Sequence, residues 1–196
     1  MTGVLRYLTH PEVAIDPAVP VPDWGLSDRG RARVLALAAR GWPAGTGRIA
    51  SSAERKAAET AGILAAALGL PVERRPAQGE IDRSATGYVP HERHEALADR
   101  FFADPDQSAE GWETARAAGA RVLADLEALL ARHGAGRGAG DLLVVGHGGV
   151  GTLLYCHFAG LPPARRHDQP AGGGCVFALD LATRRPSHGW RRAEDL

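Results

Sequence analysis

The stretch "DLLVVGHGG" (Asp141 to Gly149) constrains the fold of this chain more than any other. Its apolar run shows no polar alternation, which suits a strand buried on both faces, as in a parallel sheet with helices above and below. The small residues after it lead into "VGTLLYCHFAGLP", a helix that Gly160 and Pro162 stop. The same strand-then-helix succession recurs. "VLRYLT" (Val4 to Thr9) is a short β-prone run, "RIAS" around Ile49 is another, and "CVFALDL" (Cys175 to Leu181) is the last clear strand. Strands alternating with helices imply an α/β fold: a three-layer α/β/α sandwich with a mostly parallel sheet. At 196 residues, one domain spanning 1–196 suffices.

Turn and cap residues punctuate the helices. Ser27 is the expected N-cap of a helix carrying Val34, Leu35 and Leu37 as far as Gly41. Ser51 and Glu54 have capping-box spacing ahead of a helix stopped by Gly69 and Pro71. After a short strand at Val72 the chain is polar and irregular to Pro90. Helix returns at "HERHEALADRFFAD" and again from about Ala109 to His133, where Trp112, Val122, Leu126, Leu129 and Leu130 fall near one face. Residues 80–108 are the expected lid or substrate-selecting insertion. "RHGAGRGAGD" (Arg132 to Asp141) is a glycine-rich connection rather than a phosphate loop.

Charge and composition narrow the function. The formal net charge is zero, so no global field favours nucleic acid or an anionic membrane surface. No apolar run approaches the roughly 18 residues of a membrane span, and the start lacks the pattern of a signal peptide. Cys156 and Cys175 are the only cysteines and read as buried small hydrophobes, which fits a reducing cytoplasm. In open parallel sheets ligands sit beyond the carboxyl ends of the strands, and here two strands end on a histidine, His10 and His147. A helix opens directly after His147, and Ser51 and Ser52 mark a third strand end and a second helix start. Imidazoles and helix N-termini gathered at one crevice favour a phosphate-sized anion.

Five short motifs, in order, resemble those of the histidine phosphatase superfamily, whose fold is phosphoglycerate mutase-like. The family's Arg-His-Gly-Glu after a strand is similar to "LTHPEV", with His10 in the nucleophile position and Glu12 in the glutamate position. Its Leu-Ser-x-x-Gly is met by Leu26, Ser27 and Gly30. Its Ser-Ser-Pro-Leu-x-Arg-Ala-x-x-Thr-Ala resembles "SSAERKAAETA", where Ser51, Ser52, Ala57, Thr60 and Ala61 agree and Lys56 stands for arginine. Glu80 in "GEIDRS" falls at the acidic proton donor, with Asp82 as its rival, and "VVGHGGV" puts His147 at the second histidine.

The resemblance implies a metal-independent phosphatase acting on a small phosphomonoester, with no cofactor. His10 would form a phosphohistidine, Glu80 would protonate the leaving alcohol and then activate water, and His147 with helix amides would stabilise the transferring group. Thr9, Ser51, Lys56, Arg83 and Gly148 are the candidate phosphate-binding residues. Hydrolysis is expected over mutase chemistry, and the sequence leaves a homo-oligomer open.

Besides Lys56, which keeps the charge but not the planar clamp of arginine, two positions depart from the pattern. Thr9 replaces an arginine, giving up a charge and a bidentate fork, and Pro11 replaces a glycine, removing a backbone donor. Arg55, Arg83 and Arg93 are the cations available to make up the loss, and Arg83, Arg93 and His94 are candidate lid contacts. The alternative is a catalytically degenerate anion-binding regulatory protein with the same fold. A metal-dependent hydrolase using His10, His147 and a carboxylate ranks third, since no ligand spacing accompanies them; His91 and His94 read as a solvated helix start. Trp112, Phe101 and Phe102 read as packing or lid residues, and Ser51 most simply as a cap.

Overall fold

The computed structural model describes residues 3–134 and 140–196, so the glycine-rich connection lies partly outside the described residues. In chain order the elements are β1 (Val4–Thr9), α1 (Asp28–Ala39), β2 (Thr46–Ser52), α2 (Arg55–Leu68), β3 (Val72–Arg75), α3 (His91–Ala103), α4 (Ala115–Gly134), β4 (Asp141–Gly146), α5 (Gly148–Ala159), β5 (Cys175–Asp180) and β6 (Arg185–Arg192). They form one six-stranded sheet in the order β3-β2-β4-β1-β5-β6. The first four of these are mutually parallel, and β5 alone is reversed, pairing antiparallel with β1 on one side and β6 on the other.

The apolar run of β4 shows why the sheet needs two covering layers. Leu142 and Val144 point into a cluster with Val122, Leu126 and Leu153, whereas Leu143 and Val145 point the other way, against Val34, Leu37 and Leu64. Successive side chains of a strand alternate faces, so a run apolar at every position demands a hydrophobic partner on each side. Helices α1 and α2 supply one; α3, α4 and α5 supply the other.

Three expectations need correction. "CVFALDL" is not the last strand: β6 pairs with β5, but its sequence "RPSHGWRR" carries no apolar alternation and includes a proline. It is an edge strand, where one side faces solvent and a missing N–H is tolerated. The fourth helix starts at Ala115 rather than Ala109, because Glu110 and Gly111 take positive φ values of 53° and 86° and interrupt it; Ala109 and Trp112 are nonetheless buried. Leu35 is 52% exposed, on the outer side of α1, while Val34 and Leu37 are buried. Ser27 does cap α1, accepting the Gly30 N–H at 3.1 Å.

Register carries the fold to the site. Thr9 of β1 pairs with Gly146 of β4, so the next residues, His10 and His147, leave the sheet side by side, and the His10 N–H donates to the Gly146 carbonyl at 3.1 Å. Ser51 of β2 pairs with Val145, which brings Ser52 to the same edge from the other side of β4.

Candidate active site

His10 lines an open pocket of about 880 Å³, and the fully buried His147 lies directly behind it, their ring centroids 5.2 Å apart in an edge-to-face arrangement. His10 Nδ1 lies 2.8 Å from the carbonyl of Pro11. A carbonyl only accepts, so Nδ1 carries the proton and Nε2 keeps its lone pair. Burial, reinforced by the neighbouring His147, lowers the His10 pKa to about 3, and the ring is neutral at physiological pH. Pro11 thus fixes the tautomer through its carbonyl, whatever donor it removes.

His147 is fully buried. Its Nε2 lies 2.8 Å from Ser52 Oγ and 3.6 Å from a carboxylate oxygen of Glu54, while Nδ1 has no partner among the described residues. Burial lowers its pKa too, against the pull of Glu54 and Glu80. The Tyr7 hydroxyl anchors the segment by accepting the His147 N–H at 3.2 Å. That contact requires Gly146, since a Cβ there would lie 2.1 Å from the Tyr7 oxygen.

Glu80 also reaches the site, by capping α5. Its carboxylate accepts the N–H groups of Gly149 (3.1 Å) and Val150 (3.0 Å), besides that of Ile81 (3.0 Å). Gly149 permits the approach, because a Cβ there would meet Glu80 and Ile81 within 2.8 Å. Burial opposes ionisation, yet His147, Arg83 and the amides outweigh it and hold the pKa below the usual carboxylate range. Two of the helix N-terminal amides expected to face a bound anion are therefore already occupied by Glu80. Gly148 lines the pocket beside it. Asp82 is exposed, accepts the Ser84 N–H and does not line the pocket.

The remaining expected residues divide. Lys56 is buried and lines the pocket, its Nζ donating to the Val21 carbonyl (2.9 Å) and to Glu54 (2.5 Å). Arg83 lines the pocket and lies over the Trp112 ring at 5.4 Å. Thr9 is fully buried and turned inward: its hydroxyl donates to Gln169 Oε1 at 2.5 Å and accepts the Cys175 N–H at 3.0 Å. Ser51 does not cap α2, since its hydroxyl donates to the Ser52 carbonyl and the N-cap residue is Glu54, with no side-chain cap. The capping box fails because both of its side chains have partners outside the helix. Glu12 is bound by Arg33 (2.7 Å) and Arg29 (3.2 Å) and does not line the pocket. Arg55 and Arg93 pair with Glu59 and Glu110 away from it. His91 and His94 are no mere solvated helix start: both line the pocket, and His94 is half-buried against Trp112. The two cysteines are buried, as expected. Among the described residues no group of three or more histidine, cysteine, aspartate or glutamate side chains is placed to hold a metal.

Four contributors escape the motif reading. Glu54 faces Lys56 and His147, and the signal for it was a charge standing where the similar motif has leucine. Gln169 fills the space beside Thr9 and Gly148. Arg166 and Arg165 line the rim; Arg165 is tied to Glu95, Asp99 (3.1 Å) and Asp168 (2.8 Å), and Arg166 has no carboxylate within 4 Å among the described residues. No motif marks this segment.

The family model of the histidine phosphatase superfamily (branch 1) matches residues 17–190. The chain belongs to that superfamily. Among solved structures, Bacillus stearothermophilus YhfR aligns at 21% identity over 95% of each chain with a TM-score of 0.77. Mycobacterial glucosyl-3-phosphoglycerate phosphatase aligns at 22% identity over 97% of each chain with a TM-score of 0.71. A putative alpha-ribazole-5'-phosphate phosphatase from Escherichia coli aligns at 19% identity over 98% of this chain and 96% of that one, with a TM-score of 0.68. These likenesses establish the phosphoglycerate mutase-like fold. No curated protein matches in sequence. The superfamily match begins beyond His10, so the divergent "LTHPEV" rests on geometry alone.

Proposed function

We propose that this superfamily member is a metal-independent phosphatase that hydrolyses a small phosphomonoester through a phosphohistidine on His10. The observation that carries this reading is the contact of the pocket-lining His10 with His147 behind it, with the His10 Nε2 lone pair left over once Nδ1 is bound to Pro11. In the first step Nε2 attacks phosphorus, the P–O ester bond breaks and the alcohol leaves with a proton. In the second, water attacks the phosphohistidine, its proton passes to a base and the N–P bond breaks.

Glu80 is the carboxylate assigned to both transfers. Its ionised resting form suits the second step directly, whereas the first needs it protonated, so poor leaving groups should be slow. Lys56 and His147 contribute donors to the transferring group. The expected lid, residues 80–108, brings Arg83, His91, His94 and Glu95 to the pocket wall, where with Arg166 they would contact the part of the substrate beyond its phosphate.

A second reading, an anion-binding protein without turnover, is favoured by one observation: the floor's lysine is already paired with Glu54 and the hydroxyl in the arginine position is consumed internally. Phosphate release from a panel of phosphomonoesters, with and without chelator and beside His10→Ala, separates the two. Chelator-insensitive release that vanishes in the variant is the expected result. Release that survives the variant overturns the nucleophile, and phosphate binding with no release on any ester selects the second reading.

A further inference from the structure

Glu54 ends the approach to α2 and sets its carboxylate directly behind the pocket lining, against Lys56, Glu80 and His147. One oxygen accepts the Glu80 N–H at 2.6 Å and lies 3.6 Å from His147 Nε2; the other takes the Lys56 ammonium at 2.5 Å. With both histidines neutral, Lys56 is the pocket-lining cation that Glu54 holds, while Glu80 adds a second carboxylate and Arg83 a second cation nearby. Lys56 has three N–H donors and directs two of them at Val21 and Glu54.

We propose that Glu54 is a specificity-determining carboxylate that competes with an incoming phosphoryl group for Lys56 and keeps the affinity for free inorganic phosphate low. The inference rests on the pocket being the anion site. A dianion that reaches Lys56 must share it with Glu54 and lies within a few ångströms of that carboxylate, where like charges repel strongly in a partly buried setting. Inorganic phosphate has nothing to offset that repulsion. An ester adds contacts of its alcohol portion with the rim, so affinity comes from the remainder of the substrate and the product leaves readily.

Titration of inorganic phosphate and of orthovanadate into the whole protein by calorimetry tests this without turnover. Glu54→Gln keeps an acceptor for the Glu80 N–H and removes the charge, and Glu54→Leu removes both; each should bind phosphate at least about tenfold more tightly than the parent. Adding Lys56→Met to Glu54→Gln should abolish the gain. Unchanged or weaker binding in a folded Glu54→Gln protein overturns the proposal, because it makes Glu54 a group that positions Lys56 rather than one that competes for it. A gain that persists without Lys56 overturns it as well. Phosphate bound equally by parent and Glu54→Gln sinks the role of Glu54 while leaving the anion site standing; phosphate bound by none of them sinks both.

Discussion

His10 and His147 leave neighbouring strands at paired positions and share one crevice, yet their surroundings differ. His10 is only partly buried, has one nitrogen fixed on a carbonyl and lines the pocket. His147 is fully enclosed, reaches Ser52 and Glu54 with Nε2, and has its backbone N–H held by Tyr7. The contrast assigns unequal work to identical side chains. The imidazole that faces the pocket is set to attack, and the enclosed one is set to hold a charge or proton beside the reacting atoms.

That assignment breaks most sharply at His10. His10→Ala should lower kcat/KM by at least about 10³-fold and abolish any acid-labile phosphoprotein seen on rapid quenching. Lys56→Met should follow in size, on stability rather than rate. It leaves the Glu54 carboxylate without its cation in a largely buried place, at a cost of about 3 kcal/mol, and Glu54→Gln should recover part of the lost Tm. His147→Asn should lower kcat by about 10²-fold while still letting His10 take up the phosphoryl group. Equal losses at both histidines, with no phosphoprotein in His147→Asn, would erase the distinction.

The fold is legible because the Leu142–Val145 run of β4 is apolar at every position and the other parallel strands have glycine or proline at their boundaries. What the sequence concealed was decided by long-range contacts. β6 is an edge strand held by β5, so its own residues carry no strand pattern. At the site, motif order points to His10, His147, Glu80 and Lys56, which strand ends and helix starts bring close together. It does not foresee the internal partners of Thr9 and Ser51, because a buried hydroxyl bonds whatever lies nearest, here Gln169, Cys175 and the Ser52 carbonyl. Glu54 was mistaken for half of a capping box because its spacing from Ser51 fits one; only the fold reveals that Lys56 and the Glu80 N–H take its carboxylate instead.

The smallest expected effect concerns protons. His10 titrates near 6.5 when unfolded and near 3 when folded, so between those values the unfolded chain binds the additional proton. Its contribution to stability is complete above pH 6.5 and is lost as the pH falls toward 3. At pH 5 the loss amounts to about 2 kcal/mol, or about 5 °C in Tm for a chain of this length. Glu54, with a pKa lowered to about 2 beside His147 and Lys56 although burial opposes this, contributes in the same sense at lower pH, between 4.5 and 2. Melting curves of the parent and His10→Gln, taken from pH 7 to pH 5, should therefore converge as the parent loses its excess. A constant gap would mean that His10 is not held neutral by its surroundings, and the lone pair assigned to Nε2 would then have to be produced by deprotonation during turnover.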